Sequence, residues 1–181
     1  MKIVKTLTFL SPEDVLAKAR KAAPSGGAKG AEDFLVSALV DPRKMAFAAA
    51  FDALIREALK GEVSLDALGS DWDDIQTKIK GASSWLAEMM AIDPDRFDAE
   101  GKATLSLMGI RPKPYLQALI EQMACGIAVC ENSRYQMVDL KEAFVEEKAV
   151  LRFHAQMEAL YERALKASER AHALGPRDPD A

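Results

Sequence analysis

Residues 115–129 read YLQALIEQMACGIAV. Leu116, Leu119, Ile120, Met123 and Ile127 recur at three- and four-residue intervals, which is the period of an α-helix. Glu121 is the one charged residue in the stretch. A helix this apolar is expected to be buried on several sides, at the centre of a helical packing.

Downstream, Glu131-Asn132-Ser133 reads as a turn. A long helix is then expected from Arg134 to Leu174, on the apolar positions Met137, Val138, Leu140, Phe144, Val145, Ala149, Leu151, Met157, Leu160, Tyr161, Leu165 and Ala171. Gly175-Pro176 should end it, with residues 176–181 as a disordered tail. A helix of about 40 residues spans about 60 Å at 1.5 Å per residue, more than the diameter of a globule of this mass. Either it breaks near Glu146-Glu147-Lys148, or its C-terminal half protrudes and needs another surface. The second option makes Met157, Leu160, Tyr161 and Leu165 candidate partner contacts.

Upstream, Arg111-Pro112-Lys113-Pro114 reads as a rigid connector, because neither proline can donate a backbone hydrogen bond. It is the one credible boundary. It separates an N-terminal helical region, residues 1–110, from a long-helix region, residues 115–175, packed on it within one structural domain.

The N-terminal region carries repeated helix starts. Ser11-Pro12-Glu13-Asp14 offers a capping hydroxyl, a proline in the first turn and two acids at the positive end of the dipole. Val15, Leu16, Ala19, Ala22 and Ala23 follow as a narrow apolar face before Pro24-Ser25-Gly26-Gly27. Helices are expected over residues 31–40 and, after Asp41-Pro42, over residues 42–60, with a short turn around Val63, Leu65 and Leu68. Ser70 would cap a helix over residues 71–91 with the stripe Trp72, Ile75, Ile79, Ala82, Trp85, Leu86 and Met89. Gly81 within it marks a close contact or a break. A less regular helix after Asp93-Pro94 is interrupted by Gly101 and Gly109.

Residues 1–10 read differently. Ile3, Val4, Leu7 and Phe9 favour a short β-strand, yet no second strand follows to pair with it. The segment is either an extended arm or an edge that adds to another chain, which makes Ile3, Leu7 and Phe9 candidate contacts. With 31 alanines and 7% aromatic residues, the expected fold is all-α: a bundle of about six helices with a long C-terminal one and this short N-terminal strand.

Composition agrees with a globular chain: 181 residues, 49% hydrophobic, 29% charged. No apolar run approaches the roughly 18–20 residues that cross a bilayer. The opening MKIVKTLTFLSPED turns acidic too soon for a secretory signal. Two cysteines make no disulfide scaffold, so a cytoplasmic location is expected. The net charge of −4 is uneven: +3 over residues 1–45, −6 over 46–110 and −1 over 111–181. The basic third, with Lys18, Arg20 and Lys21 clustered, is the one segment suited to a nucleic-acid backbone.

The residues of chemistry are sparse. His154 and His172 lie 18 residues apart on one expected helix, about 27 Å by helix geometry, too far to share a metal. Glu169 and His172 have Glu-x-x-His spacing without the second motif a di-metal bundle needs. Cys125 and Cys130 sit in the apolar helix and read as buried structural thiols. Gly26-Gly27-Ala28-Lys29-Gly30 lacks phosphate-loop spacing, and Asp71, Asp73 and Asp74 suit a helix N-terminus better than a calcium loop. No cofactor or metal is expected.

The reading that follows is a non-catalytic helical interaction or assembly subunit of a larger complex. That complex would be a homo-oligomer or a multi-subunit particle such as a phage or ribonucleoprotein assembly. Its partners would be other protein subunits. A nucleic-acid-associated module using Lys18, Arg20 and Lys21 is the second reading. An enzyme or cofactor carrier with a site completed across an oligomer is the third.

Overall fold

The computed structural model describes residues 8–23, 72–93, 105–133 and 147–175, with positions 53, 56, 95 and 103. Four helices are delimited there: α1 (Pro12–Ala22), α2 (Trp72–Met90), α3 (Pro112–Ser133) and α4 (Glu147–Leu174). The fold is all-α, and no strand occurs among the described residues. Of the expected helix over residues 42–60, Ala53 and Arg56 are described, and both are helical. The expected helix over residues 31–40 and the tail 176–181 lie outside the described residues.

α1 begins as its sequence dictates. The Ser11 Oγ accepts from the Asp14 N–H at 3.1 Å, and the Asp14 carboxylate accepts from the Ser11 N–H at 3.0 Å. These reciprocal bonds satisfy two donors that a helix start leaves without acceptors. Val15 and Ala19 are the buried apolar face.

Of the expected stripe, α2 buries Ile79, Ala82, Leu86 and Met89, and Trp85 is half-buried. Gly81 does not break the helix, and among the described residues a Cβ there would meet nothing within 4 Å.

The chain then makes a tight stop. Gly109 has φ 72°. Its N–H donates to the Ser106 carbonyl at 3.0 Å, and the Ile110 N–H reaches the Leu105 carbonyl at 2.9 Å. Leu105 and Ile110, both buried, lie at the two ends of this Schellman motif, the positions that usually make its apolar contact. Only glycine adopts that φ without strain.

Two expectations around α3 are corrected. Pro112 and Pro114 do not form a connector but lie in the first turn of α3. The first N–H groups of a helix have no intrahelical acceptor, so proline loses nothing there. The Tyr115 N–H, the first able to bond, donates to the Arg111 carbonyl at 3.2 Å. Likewise Glu131-Asn132-Ser133 is not a turn but the last turn of α3. The Ser133 hydroxyl donates to the Val129 carbonyl at 2.6 Å, and Asn132 finds a partner far along the chain.

α3 is the centre of the packing and touches α1, α2 and α4. Every residue from Ala124 to Cys130 is buried, as the apolar stretch implied. α4 runs antiparallel to α3: Gln122 Nε2 donates to the Ser168 hydroxyl at 3.3 Å, and Tyr115 at the start of α3 meets Gly175 just beyond α4. A Cβ at Gly175 would lie 3.2 Å from the Ala171 carbonyl oxygen and 3.4 Å from the Tyr115 ring. A side chain there would crowd its neighbours by a few tenths of an ångström, and the expected stop at this residue is observed.

α4 has 28 residues, about 42 Å of helix; residues 134–146, the rest of the expected long helix, lie outside the described residues. Its C-terminal half does not protrude. Met157, Leu160, Tyr161, Ala164, Ala167 and Ala171 are buried in the chain's own core. Alanines and Ser168 on this face are buried against the chain's own core.

Candidate functional site

The other side of α3 is built differently. α1, α2 and the C-terminal end of α3 surround a cavity of about 610 Å³. α1 contributes Val15, Ala19 and Ala22, which fall on one face at three- and four-residue spacing. α2 contributes Ser83, Ser84, Leu86 and Ala87, and Ile127 of α3 adds to the apolar wall. Alanines and serines alternate with larger side chains along the trough, and its helices remain in contact with one another. Its charged rim is Asp14, Lys18 and Glu131. The Asp14 carboxyl is held below its ordinary value by the hydrogen bond from the Ser11 backbone and by the Ser11 hydroxyl.

One end of the trough is formed by Thr8 and Leu10 together with Asn132. Asn132 is 1% exposed. Its Oδ1 accepts from the Leu10 N–H at 2.9 Å, and its Nδ2 donates to the Leu10 carbonyl at 2.8 Å. One side chain therefore satisfies both backbone groups of Leu10, as a neighbouring strand would. Phe9 is half-buried and meets Phe153 of α4 edge to face, with ring centroids 6.0 Å apart.

This changes the picture of the N-terminal segment. Of the expected contact residues, Ile3 and Leu7 lie outside the described residues. Thr8, Phe9 and Leu10 are described and do not form a strand. The backbone of Leu10 is paired by an asparagine of the same chain, and Phe9 packs on the chain's own core. Of the other expected contacts, Met157, Leu160 and Tyr161 are core residues, and Leu165 packs partly buried against them. The structure brings none of these four to an open surface. Asn132 escaped sequence reasoning because its partner is 122 residues away; a polar residue ending an apolar stretch was the only signal.

Lys18, Arg20 and Lys21 are all exposed on α1. At about 100° per residue, Arg20 points about 160° away from Lys18. The three do not form one patch, and Lys18 stands on the trough rim.

A second polar cluster ties three helices together. Arg163 of α4 donates through Nε to Glu121 Oε1 of α3 at 2.7 Å and through a terminal nitrogen to Glu13 Oε1 of α1 at 2.6 Å. Glu13 is held below its ordinary value by its backbone hydrogen bond and by Arg163. The Cys125 thiol lies 3.7 Å from Glu121 Oε1. Burial, with the Glu121 charge, pushes Cys125 up to about 12, and burial pushes Cys130 higher still. Both are free thiols held as neutral, unreactive core groups, as expected. His154 and His172 are exposed on α4. Among the described residues no group of three or more His, Cys, Asp or Glu could hold a metal ion. Among the same residues no helix is long and apolar enough to cross a membrane.

Comparison of the chain with protein-family models, with curated proteins and with solved structures gave no match.

Proposed function

We propose that this chain is a non-catalytic helical interaction or assembly subunit, and that its working surface is the trough between α1, α2 and the end of α3. The observation that carries this reading is the cavity of about 610 Å³ with walls of small and apolar side chains. Such a volume accommodates inserted apolar side chains, and its rim of Asp14, Lys18 and Glu131 can orient a polar partner. The surface differs from the one the sequence suggested. α4 is covered by its own chain, and the interaction reading rests on the α1 and α2 side instead.

A photo-crosslinking residue at Ser84, exposed on the trough wall, tests it in native cells. The expected adduct joins this chain to a protein subunit or a second copy. It disappears in Ala22→Trp, which fills the trough, and persists in Ala155→Trp, on the outer face of α4. A compact monomer by light scattering, with no adduct that depends on Ala22, overturns the reading.

A further inference from the structure

We propose that Asn132 and its surroundings are a receptor for an extended peptide, and that residues 8–11 fill it in cis as a removable strap. The inference deepens the reading above, on which it rests for its use in the cell, by naming the chemistry the trough accepts.

The clamp grips backbone alone. Asn132 Oδ1 and Nδ2 take the N–H and the carbonyl of Leu10 at 2.9 and 2.8 Å, and neither bond depends on the Leu10 side chain. An asparagine amide carries both a donor and an acceptor, so it reproduces the two bonds one strand residue offers its neighbour. Any extended residue satisfies it equally. Selection comes from the flanks. The ring of Phe9 stands edge-on to Phe153, and the residue after it, Leu10, faces the cavity. The receptor therefore prefers an aromatic residue followed by an aliphatic one.

The strap and its receptor are unequally buried. Asn132 and Phe153 are buried, whereas Phe9 and Leu10 are half-buried and Thr8 is exposed. Among the described residues the strap is held by two hydrogen bonds, one ring contact and the packing of the half-buried Phe9 and Leu10 against the core. Its C-terminal limit is set by Ser11, whose N–H and hydroxyl are already engaged with Asp14. The strap can thus lift at the Leu10–Ser11 junction while α1 keeps its cap. Lifting it joins the clamp to a cavity that is already formed.

Hydrogen exchange on the full chain is the first test. The Leu10 amide should be protected relative to an unstructured peptide, yet exchange at least tenfold faster than the amides of residues 124–130. No protection overturns the clamp. Protection equal to that of α3 overturns the claim that the strap is removable.

The second test adds a fluorescent peptide of sequence TLTFLS, residues 6–11, to full-length variants. It should bind Phe9→Ser at least tenfold more tightly than wild type, because the strap is weakened. Binding should be lost in Phe9→Ser combined with Asn132→Leu. Asn132→Asp keeps the volume and removes the donor, and should weaken binding even if the leucine variant does not fold. Equal binding to wild type and Phe9→Ser, no binding to Phe9→Ser, or binding indifferent to Asn132→Asp overturns the receptor. The two readings fail separately. A missing Ser84 adduct in cells removes the cellular role and leaves the peptide result intact, whereas failed exchange or peptide results remove the strap whatever Ser84 captures.

Discussion

The two sides of α3 are built from similar residues and end up opposite in character. Toward α4, Ala164 and Ala167 lie in the same core as Phe153, Met157, Leu160 and Tyr161, and Tyr115 at the start of α3 meets Gly175 beyond the end of α4. Toward α1 and α2, Ala19, Ala22, Ser83, Ser84 and Ala87 line a cavity together with Val15, Leu86 and Ile127. Alanine does not by itself make close contact. It lies in a filled core where Met157, Leu160 and Tyr161 occupy the space between backbones, and it lines a cavity where the surrounding side chains leave that space open.

This contrast can be broken most directly by enlarging one alanine on each side. Ala164→Leu, at a fully buried position of α4, should destabilise by about 1–3 kcal/mol or more through overpacking. Ala19→Leu, on the trough wall, should cost under about 1 kcal/mol, because its methyl groups enter existing space. Chemical denaturation of the two variants checks this; equal losses would erase the distinction. Truncation should show the converse weight of the sealed side. Met157→Ala should cost about 2–5 kcal/mol, the range for emptying a packed site.

A smaller loss, about 1–3 kcal/mol, is expected for Asn132→Ala, which leaves the Leu10 backbone groups without their partner. It should lower the unfolding midpoint in denaturant without changing the slope, because the bundle itself remains. Gly81→Ala should move stability the other way, by about 0.5–1 kcal/mol, since the helix gains propensity and the new Cβ meets nothing among the described residues. A loss at Gly81 would show that α2 has an undetected neighbour.

The smallest effect is electrostatic. Glu13 and Asp14 both titrate below their ordinary values of 4.5 and 3.8 in the folded chain. A carboxyl lowered on folding contributes stability that is full above its unfolded value and is lost as pH falls through its folded one. The unfolding midpoint should therefore decline as pH drops from about 5 toward 3. Asp14→Asn should flatten part of that decline, and added salt should weaken the Glu13 contribution, since that carboxylate is largely exposed.

Much of the fold was legible because its signals are local. Ser11-Pro12-Glu13-Asp14 predicted the Ser11 cap and the start of α1, four of the seven stripe positions expected in α2 are its buried Ile79, Ala82, Leu86 and Met89, and Gly175 predicted the end of α4. Other elements were misread because one residue type serves two roles. Prolines stop a helix in its interior and start it in its first turn, and Pro112 and Pro114 take the second role. Asn132 and Ser133 look like turn residues until their partners, Leu10 and Val129, are known.

Periodicity and caps depend on residues within about one helical turn of each other, and in this chain they determined an all-α fold and the ends of α1 and α4. Which helix face meets which is settled by contacts between residues scores of positions apart, as between Leu10 and Asn132. Only the tertiary structure decided that α4 is covered by its own chain, that the N-terminal segment docks on an asparagine, and that a cavity remains beside α1. Burial is a property of what lies opposite a residue, and no neighbour in sequence reports it.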